Sequence, residues 1–599
     1  MKGPMTLSLK QDQARKAGDY VRVIAGPGSG KTTLLVARTS FLLEQPGAVV
    51  GLVTFANPAA QEMRERLTGN ADMSRVRVST FDSFARQQFM PFLNGRRPPK
   101  YFERQILMTR AISESGSDFD LEKAGEVINE MNNRLHPEKA ESECVDLFET
   151  YRDLMENDGL IDFAEIARQV VLGLHGGKIK PLQVTHILVD EFQDTAPVQL
   201  AWLEQHWKRG IKITVVGDDD QSIYGFRSAM GNGGMNQFAS ATNAEDYFLN
   251  ECYRCAPEII DIADRVIANN LSRIKKHITS MASPGGSVRH AQYEEMEDQF
   301  EALDGWIKEI RAESSGLTIG VLARTNRGLD DIEAMLRVGE YKYRRIGGKS
   351  IWETQGAGLL LGLAELAVFR TYIEAPNAAN ALSWAQVPQN LVNQYRSHII
   401  SKGLFSDLPG YLCGDSRVTG FHEQLATWSN MIIEGLDGPA LKCIAAWITD
   451  HARIATDSKT AWIAASALKG NPKSKATLPQ RIRSVTMGNS KTDESDPEVI
   501  DIATMHGAKG MEWDGVWITG ANEPGIPGKQ AIQTELNGSF HEIEEERRLF
   551  YVAVTRAKRW LSIASNKKPS RFVVEAGLWS AEADIKNKKA RQQAQAEAQ

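Results

Sequence analysis

Two adjacent carboxylates, Asp190 and Glu191, directly follow an apolar run that begins at Ile187. The run predicts a buried strand of a parallel sheet, so both carboxylates would lie at the carboxyl end of that strand. There one carboxylate can hold a magnesium ion while the other activates a water molecule, which is the chemistry of nucleotide hydrolysis. Asp-Glu pairs are common in proteins, so this interpretation requires a phosphate-binding element elsewhere in the chain.

A glycine-rich segment after the strand-like run that starts at Val21 is the candidate phosphate-binding element. Its residues are Ala25, Gly26, Pro27, Gly28, Ser29, Gly30, Lys31, Thr32 and Thr33. The glycines allow a tight turn before a helix, and Lys31 and Thr32 are placed for phosphates and for the metal ion. The strict P-loop pattern has glycine where this chain has Ala25. A glycine-rich turn alone also occurs as a structural loop, but its combination with the acidic pair predicts one nucleotide site.

The glycine-rich segment and the acidic pair can meet only if the elements that carry them lie side by side. Apolar strand-like runs near Val21, Val50, Val76, Ile187 and Ile213 alternate with helical segments. The last of these runs leads into Gly217-Asp-Asp-Asp-Gln-Ser-Ile-Tyr-Gly-Phe-Arg227. This alternation is typical of an α/β fold with a doubly wound parallel sheet, in which the carboxyl ends of the strands share one edge.

The composition excludes several classes of protein. The 599 residues are 42% hydrophobic and 24% charged, which is typical of a globular chain of several domains. A net charge of −6 argues against a protein that coats nucleic acid indiscriminately, although a local basic and aromatic groove remains compatible with it. The chain starts without an apolar signal-peptide core, and its longest apolar stretch, Gly356 to Phe369, is too short to span a membrane. We therefore expect a cytoplasmic protein with no membrane partner.

The cysteines predict no disulfide framework. Five are too few and too scattered for one, so we expect reduced thiols. Cys252 and Cys255 form a C-x-x-C pair, which also occurs in zinc and redox sites, but the sequence has no second pair or nearby histidine to complete a metal site. We interpret both as packing thiols.

Seven further segments carry motifs in a characteristic order and spacing. They are Leu7–Ala14 with Gln11, Val53–Arg64, Ser79–Phe84, Val215–Arg227, Cys252–Cys255, Thr504–Trp513 and Glu544–Lys558. Together with the glycine-rich segment and the acidic pair, these segments resemble the motifs of UvrD/Rep/PcrA-like superfamily 1A DNA helicases over nearly the whole chain. Cys252 and Cys255 stand where that family has the first and last residues of an Asn-Tyr-Arg-Ser block.

The resemblance implies two RecA-like motor domains with doubly wound parallel sheets, each carrying a mainly helical inserted subdomain. The implied bounds are 1–90 and 181–247 for motor domain 1A, 91–180 for insertion 1B, 248–371 and 497–575 for motor domain 2A, 372–496 for insertion 2B, and 576–599 for a polar tail. Insertion 2B would end in a polar linker from Gly488 to Pro497.

ATP and Mg²⁺ are the cofactors that the resemblance implies. Lys31 would neutralise the β- and γ-phosphates, while Thr32 and Asp190 would hold Mg²⁺. Glu191 would orient or deprotonate the attacking water, and Gln221 would sense the γ-phosphate.

Residues outside the glycine-rich segment and the acidic pair would complete the nucleotide site. By resemblance, Gln11 would read the adenine edge, Tyr253 would stack on the adenine ring and Glu512 would reach the ribose. Arg254 and Arg556 match the family's two arginine fingers, which would act from the second core on transition-state charge. For Arg556 considered alone, a surface salt bridge is the alternative interpretation.

Single-stranded DNA is the polymer that the resemblance implies as a partner. The expected DNA contacts are Phe55, Asn57, Thr80, Tyr224, Phe226, Arg227 and His506. Aromatic rings can hold a strand without reading its sequence because every base has a π-face, although core packing is the alternative for any single aromatic residue. Phe226 replaces the family's usual Trp, Pro58 stands where Lys is common, and Asp82 stands where His is usual. A carboxylate at the Asp82 position would repel phosphates.

Three functions remain open at this point. The first is an ATP-dependent 3′-to-5′ DNA helicase and single-stranded DNA translocase that acts in DNA repair, replication or recombination on single-stranded and tailed duplex DNA. The second is a translocase that strips proteins from DNA. The third is an ATPase subunit that gates a partner nuclease in a repair or anti-phage defence complex, since the sequence has no convincing nuclease motif of its own.

Overall fold

The computed structural model describes residues 7–348, 350–452, 455–469, 476–486, 496, 498–566 and 568–579. The predicted linker from Gly488 to Pro497, apart from Asp496, lies outside the described residues, and so does the predicted tail from residue 580 onward. The side chain of Arg227, a predicted DNA contact, also lies outside them. The chain divides into two compact units. The first unit is Met1–Pro284 with Gln533–Val552, and the second unit is Gly285–Ile532 with Ala553–Gln599.

The first unit is built on a six-stranded parallel sheet. Its strands are β1 (Tyr20–Ala25), β2 (Val50–Thr54), β3 (Val76–Thr80), β4 (His186–Val189), β5 (Lys212–Gly217) and β6 (Glu245–Leu249). They lie in the order β3-β2-β4-β5-β1-β6. β2 and β4 are buried at every residue, because apolar groups cover both faces of the sheet. The prediction of a parallel α/β sheet is confirmed in this unit.

Helices cover this sheet and form an insertion of their own. They are α1 (Leu9–Lys16), α2 (Lys31–Leu43), α3 (Asn57–Leu67), α4 (Phe81–Phe89), α5 (Tyr101–Ser115), α6 (Leu121–Asn133), α7 (Ser142–Asn157), α8 (Phe163–His175), α9 (Pro197–Trp207), α10 (Gly231–Thr242) and α11 (Pro257–Ile267). α5, α6 and α7 share a separate apolar core that includes Leu107, Ile128 and Phe148. α8 instead packs Val170 and Leu174 into the core of the sheet, although the sequence placed residues up to 180 in insertion 1B.

The boundary between the two units differs from the predicted one at residue 247. β6 continues to Leu249 and pairs with β1, so the segment around Phe248 belongs to the first sheet. Two short strands, β7 (Glu251–Cys252) and β8 (Thr279–Ser280), then pair with each other. Residues 248–284 and 533–552, which the sequence assigned to motor domain 2A, are part of the first unit by their contacts. These contacts join segments far apart in sequence, and the local apolar pattern does not encode them.

The second unit contains another six-stranded parallel sheet. Its strands are β9 (Ser287–Tyr293), β10 (Ile319–Ala323), β11 (Tyr343–Ile346), β12 (Ile500–Thr504), β13 (Trp513–Ile518) and β14 (Ala557–Asn566). They lie in the order β11-β12-β10-β13-β14-β9. The fold class predicted for the second core is therefore confirmed as well.

The remaining helices mostly build the insertion of the second unit. They are α12 (Met296–Glu313), α13 (Asn326–Val338), α14 (Gln355–Phe369), α15 (Ala375–Trp384), α16 (Gln389–Lys402), α17 (Gly410–Cys413), α18 (Ser416–Ile433), α19 (Asp437–His451), α20 (Ala455–Lys469), α21 (Leu478–Thr486), α22 (Lys529–Leu536), α23 (His541–Val554) and α24 (Arg571–Glu575). α14 to α21 share one core that includes Leu363, Phe421 and Trp447, so α14 packs with the predicted insertion 2B rather than only with motor domain 2A. Among the described residues, no helix is both long enough and apolar enough to cross a membrane.

Candidate nucleotide and DNA-binding site

The predicted phosphate loop connects β1 to α2. β1 ends at Ala25, and Gly28 and Gly30 then adopt φ angles of +60° and +78°, which glycine enters without a steric penalty. Gly30 is the N-cap of α2 and has no side chain that could satisfy the first N–H groups of the helix. These N–H groups, at the positive end of the helix dipole, can bind a phosphate.

Three residues predicted to bind nucleotide pack directly against this loop. The backbone N–H of Tyr253 donates to the carbonyl of Gly28 at 2.9 Å. A Cβ atom on Gly28 would lie 2.5 Å from the Cβ atom of Arg254, so the close approach requires glycine. The side-chain amide of Gln11 donates to the carbonyl of Ser29 at 2.9 Å. The first unit therefore brings Gln11, Tyr253 and Arg254 together at the loop.

The side chains of Tyr253 and Gln11 differ in their accessibility. The ring of Tyr253 is 48% exposed, and its hydroxyl donates to Glu251 Oε2 at 2.7 Å. Such a ring can stack on an adenine. Gln11 is 5% exposed and also accepts the N–H of Ser8 at 2.9 Å, so its amide joins the start of α1 to the loop.

The acidic pair follows β4 and lies next to the lysine of the loop. Lys31 Nζ is 3.7 Å from Glu191 Oε2. Glu191 has φ +49° and ψ 44°, a left-handed conformation that is unfavourable for a residue with a Cβ atom. Its N–H donates to Asp190 Oδ1 at 2.9 Å. The structure therefore brings the phosphate loop and the acidic pair together.

Asp190 and Thr32 have the chemistry needed to hold a magnesium ion. Both offer oxygen ligands, which Mg²⁺ prefers. Desolvation, followed by the negative charge of Glu191, raises the pKa of Asp190. A divalent cation at this carboxylate would relieve the concentration of negative charge. The residues present therefore fit the ion that the sequence implies.

Gln193 joins the predicted catalytic carboxylate, Glu191, to the predicted γ-phosphate sensor, Gln221, a link that the motifs alone did not indicate. Its Nε2 donates to Glu191 Oε2 at 2.7 Å, and its Oε1 accepts the N–H of Asp218 at 3.0 Å. Gln221 donates to Asp218 Oδ2 at 2.6 Å. Gln193 is 0% exposed, and a buried amide of this kind requires partners. Glu191 and Gln221 are thus connected through two buried residues, Gln193 and Asp218.

Three consecutive aspartates enclose a lysine rather than an open metal site. Lys276 Nζ lies 3.0 Å from Asp218, 2.6 Å from Asp219 and 2.6 Å from Asp220. Arg273 also pairs with Asp220 at 2.5 Å. Burial alone would lower the pKa of Lys276, but the three carboxylates outweigh burial and raise it. The lysine ammonium occupies the position that a cation would need, and it offsets the cost of burying the carboxylates.

Three rings predicted to contact DNA form a contiguous group, which we call the aromatic platform: Phe55, Tyr224 and Phe226. Phe55 and Tyr224 stack with their centroids 5.3 Å apart and their planes 10° from parallel. Tyr224 and Phe226 meet at 5.9 Å with an angle of 70°. Phe226 is 64% exposed, and Asn57 is exposed at the start of α3. Exposed rings in such a group can stack on successive bases.

The predicted site residues of the second unit lie near β12, β13 and β14. Arg556 is 2% exposed, and its guanidinium donates to the carbonyl of Met511 at 3.1 Å. Glu512 is exposed and pairs with Lys558 at 3.2 Å. His506 is half-buried in the turn after β12. Arg556 and Glu512 are therefore neighbours within this unit.

Two family models match the chain. The UvrD/REP helicase N-terminal domain matches residues 7–241, and the UvrD-like helicase C-terminal domain matches residues 461–568. The two ranges together cover more than half of the chain. The chain belongs to the UvrD-like helicase family. The matched ranges contain the phosphate loop, the acidic pair, the aromatic platform and Arg556.

Curated relatives are similar along most of the UvrD-like chain. DNA helicase II of Haemophilus influenzae is 25% identical, and the match covers 92% of this chain and 84% of the relative. ATP-dependent DNA helicase PcrA of Leuconostoc citreum is 26% identical, with 92% and 82% covered. DNA helicase II of Escherichia coli is 26% identical, with 95% and 87% covered. The similarity therefore includes both units and their insertions.

Arg254 lies in a different unit from the one that the UvrD-like resemblance implied. The resemblance implied a place in the second core, whereas the contacts of Arg254 place it in the first unit beside Gly28. The physical reason is that the Tyr253 N–H bonds to the phosphate loop and β7 pairs with β8, which joins this segment to the first unit. Cys252 and Cys255, on either side, are both buried cysteines. The role of Arg254 at the phosphates stays a prediction.

Thr80 has a structural function within the first unit. It is the N-cap of α4, where its hydroxyl accepts the N–H of Ser83 at 3.3 Å, and it is only 9% exposed. The neighbouring Phe81 is buried, with its ring centroid 5.7 Å from that of Trp202. Asp82 is exposed. The contact of Thr80 with DNA therefore stays a prediction.

Proposed function

We propose that this UvrD-like chain is a DNA-dependent ATPase that moves along single-stranded DNA and separates duplex DNA. The observation that supports it most directly is a continuous series of polar contacts from Lys31 to Gln221. Gln221 is three positions before Tyr224 of the aromatic platform. The predicted sensor of the γ-phosphate and two of the three rings suited to DNA therefore lie in one short segment of the chain.

ATP would bind with its phosphates in the loop between β1 and α2. Lys31 would neutralise the β- and γ-phosphates, and the first N–H groups of α2 would donate to them. Glu191 would orient the attacking water and accept its proton, while Gln193 holds that carboxylate in place. Asp190 and Thr32 would hold Mg²⁺, which supplies further positive charge at the phosphates.

Gln221 would transmit the state of the nucleotide to the aromatic platform. Its amide bonds to Asp218 at 2.6 Å, and a γ-phosphate would offer a competing charged acceptor. When the phosphate leaves, a change at Gln221 would move the segment that leads to Tyr224 and Phe226. The rings would then bind and release bases once in each cycle of ATP hydrolysis. This alternation would couple hydrolysis to movement along the DNA strand.

The direction and the biological context are proposed from family membership. We propose 3′-to-5′ movement on single-stranded and tailed duplex DNA, with a role in DNA repair, replication or recombination. The alternative role, as an ATPase subunit that gates a partner nuclease in a repair or defence complex, stays a prediction of the sequence. Isolation of the complex from native cells, followed by identification of a co-purifying nuclease, would support that alternative.

Activity on defined DNA substrates tests the proposed function. We expect single-stranded DNA of any sequence to stimulate ATP hydrolysis, and we expect unwinding of duplexes with a 3′ tail. Affinity for DNA should fall steeply with salt because phosphate contacts release counterions. Changing both Phe55→Ala and Phe226→Ala should slow translocation about tenfold or more, because base stacking contributes ~1–3 kcal/mol per base.

Two controls make this experiment decisive. Phe163→Ala removes a ring that is 45% exposed on α8 and should translocate like the wild type. DNA-independent hydrolysis should stay nearly constant in the double variant, because those rings would touch bases rather than nucleotide. Equal unwinding of 5′-tailed and 3′-tailed duplexes would refute the direction. Unchanged translocation in the double variant would refute the aromatic platform as the DNA track.

A further inference from the structure

Glu545 of α23 contacts the backbone at the centre of the aromatic platform. The N–H of Gly225, between Tyr224 and Phe226, donates to Glu545 Oε1 at 2.8 Å. Both residues belong to the first unit, although they are 320 positions apart in sequence. Glu545 is half-buried, and a carboxylate that accepts a backbone N–H in such surroundings forms a strong, charge-assisted bond.

The lack of a side chain at Gly225 allows this contact. A Cβ atom on Gly225 would lie 2.7 and 2.8 Å from the two carboxylate oxygens of Glu545 and 2.9 Å from its Cδ atom. Gly225 also begins a 3-10 turn that ends with the Ser228 N–H donating to the Gly225 carbonyl at 2.8 Å. Glu545 therefore holds the turn at its first residue, directly between Tyr224 and Phe226.

α23 is itself anchored, so it can hold the turn in a defined position. Glu544 Oε1 accepts the N–H groups of Leu271 and Ser272 at 2.7 and 3.3 Å. Arg547 donates to Asn270 Oδ1 at 2.6 Å, and Asn270 donates back to the carbonyl of Glu544 at 2.9 Å. Residues on both sides of Glu545 thus bind the segment that follows α11.

The same segment also holds the nucleotide end of the loop. The N–H of Ile274 donates to Asp219 Oδ2 at 2.6 Å, and Lys276 lies among the three aspartates before Gln221. The segment that follows α11 therefore acts on both ends of the loop from Asp218 to Phe226. It binds the start of the loop through residues 274–276, and it is bonded to the neighbours of Glu545, which binds the loop near its end.

We propose that Glu545 is a positioning residue that orients the aromatic platform for stacking on single-stranded DNA without touching DNA or nucleotide itself. The inference rests on the proposed function, because it requires Tyr224 and Phe226 to bind bases. Loss of the Glu545 carboxylate releases the Gly225 N–H and lets the turn sample other orientations. DNA binding then has to order the rings first, which weakens affinity.

The test compares Glu545→Ala with Glu545→Gln in the full-length protein. The Ala variant should need about tenfold more single-stranded DNA for half-maximal stimulation of ATP hydrolysis, as expected for a lost hydrogen bond to a charged group. Its DNA-independent hydrolysis and its maximal rate at saturating DNA should stay within about twofold of the wild type, a split that general loss of structure would not produce. The Gln variant should recover most of the affinity, because its amide oxygen can still accept the Gly225 N–H.

A second pair of variants tests the contact itself. Gly225→Ala places a methyl group against the carboxylate, so it should weaken DNA binding on its own. Glu545→Ala added to Gly225→Ala removes the clash, and the two effects should combine to less than their sum. Glu130→Ala removes one partner of an exposed ion pair with Arg134 and is the matched surface control.

Each outcome has a separate meaning. Three results would each overturn the positioning role. They are wild-type affinity for DNA in Glu545→Ala, equal losses of DNA affinity in Glu545→Ala and Glu545→Gln, and additive effects of Gly225→Ala and Glu545→Ala. If Glu545→Ala does not fold, the Gly225→Ala variant with and without Glu545→Asp decides, since the aspartate side chain is one methylene shorter, withdraws from the added methyl group and should again give a non-additive effect. A wild type whose hydrolysis is not stimulated by DNA would instead refute the proposed function.

Discussion

The two parallel sheets have the same number of strands, but the turns that follow their strands differ in chemistry. After β1, residues 26–30 form the glycine-rich loop, and Gly30 precedes α2 without any side chain to cap it. After β10, only Arg324 and Thr325 precede α13. The side chain of Thr325 accepts the N–H of Gly328 at 3.2 Å. The start of α2 thus has no side-chain cap and is predicted to bind an anion, whereas the start of α13 is capped by Thr325.

The difference shows that a parallel sheet provides positions for chemistry but does not determine which chemistry occurs there. Every strand-to-helix turn at the carboxyl edge presents helix N–H groups, and these bind a phosphate only where no side chain competes for them. The second unit has a different predicted contribution to hydrolysis, the side chain of Arg556, which directly precedes β14. Variants in each unit should therefore produce different kinds of defect.

The largest effect is expected from the turn after β1. Lys31→Ala should lower DNA-stimulated ATP hydrolysis by about 10³-fold or more, because in the proposed site the lysine charge would stabilise the transferring phosphoryl group. Glu191→Gln should lower hydrolysis to a similar extent but still bind ATP and DNA, because Asp190 remains to hold the metal ion. Phosphate release at saturating DNA measures the loss, and equilibrium binding of labelled nucleotide separates the two variants.

A surface lysine provides the control for this experiment. Lys208 is 59% exposed on its side chain and pairs with Glu204, so Lys208→Ala should hydrolyse ATP like the wild type. Substantial turnover by Lys31→Ala or Glu191→Gln would mean that the turn after β1 is not the hydrolytic site, and the contrast between the two sheets would have no functional meaning.

The sequence predicted the sheet elements well, because each strand is a contiguous apolar run. The runs near Val21, Val50, Val76, Ile187 and Ile213 correspond to β1, β2, β3, β4 and β5. The division into units was harder to predict. Residues 248–284 and 533–552 join the first unit through pairings such as β6 with β1 and Glu544 with Leu271, which no local pattern records.

The candidate site shows the same distinction between local and distant contacts. The phosphate loop and the acidic pair are short contiguous motifs, so the sequence alone indicates their chemistry. The bond of Gln193 to Asp218 joins residues 25 positions apart, and that of Lys276 to Asp219 joins residues 57 positions apart. Gln193 is two positions after Glu191, and this proximity is the signal in the sequence that could have indicated a role beside the acidic pair. Lys276 lies in a basic stretch with no nearby acidic residue, and the sequence contains no sign of its three partners.

An intermediate effect is expected from the two predicted arginine fingers. Arg254→Ala and Arg556→Ala should each lower turnover by about 10²- to 10³-fold while single-strand affinity without nucleotide changes little, because each guanidinium would stabilise transition-state charge. Arg254 is in the first unit beside Gly28, so Arg254→Ala should also weaken nucleotide binding, whereas Arg556→Ala should leave it nearly unchanged. Single-turnover hydrolysis and nucleotide titration measure these two quantities.

A conservative variant and a stability measurement separate a catalytic defect from a folding defect at Arg556. Arg556 bonds to the carbonyl of Met511, so thermal unfolding should accompany the kinetics, and Arg556→Lys keeps the charge without the planar fork. If Arg556→Ala hydrolysed ATP normally but bound DNA poorly, its finger role would be wrong. The second unit would then contribute to DNA binding rather than to hydrolysis.

The smallest effect is expected at the turn after β10. Thr325→Ala should destabilise the second unit by about 1 kcal/mol, because α13 loses its N-cap, whereas Thr325→Ser should keep the cap and the stability. Denaturant unfolding followed by circular dichroism measures the difference between the two variants. ATP hydrolysis by both should stay close to that of the wild type, since the N–H groups at this helix start serve the fold and not a phosphate. Reduced hydrolysis in Thr325→Ala with an unchanged free energy of unfolding would show that the start of α13 takes part in the cycle, and the contrast between the two turns would fail.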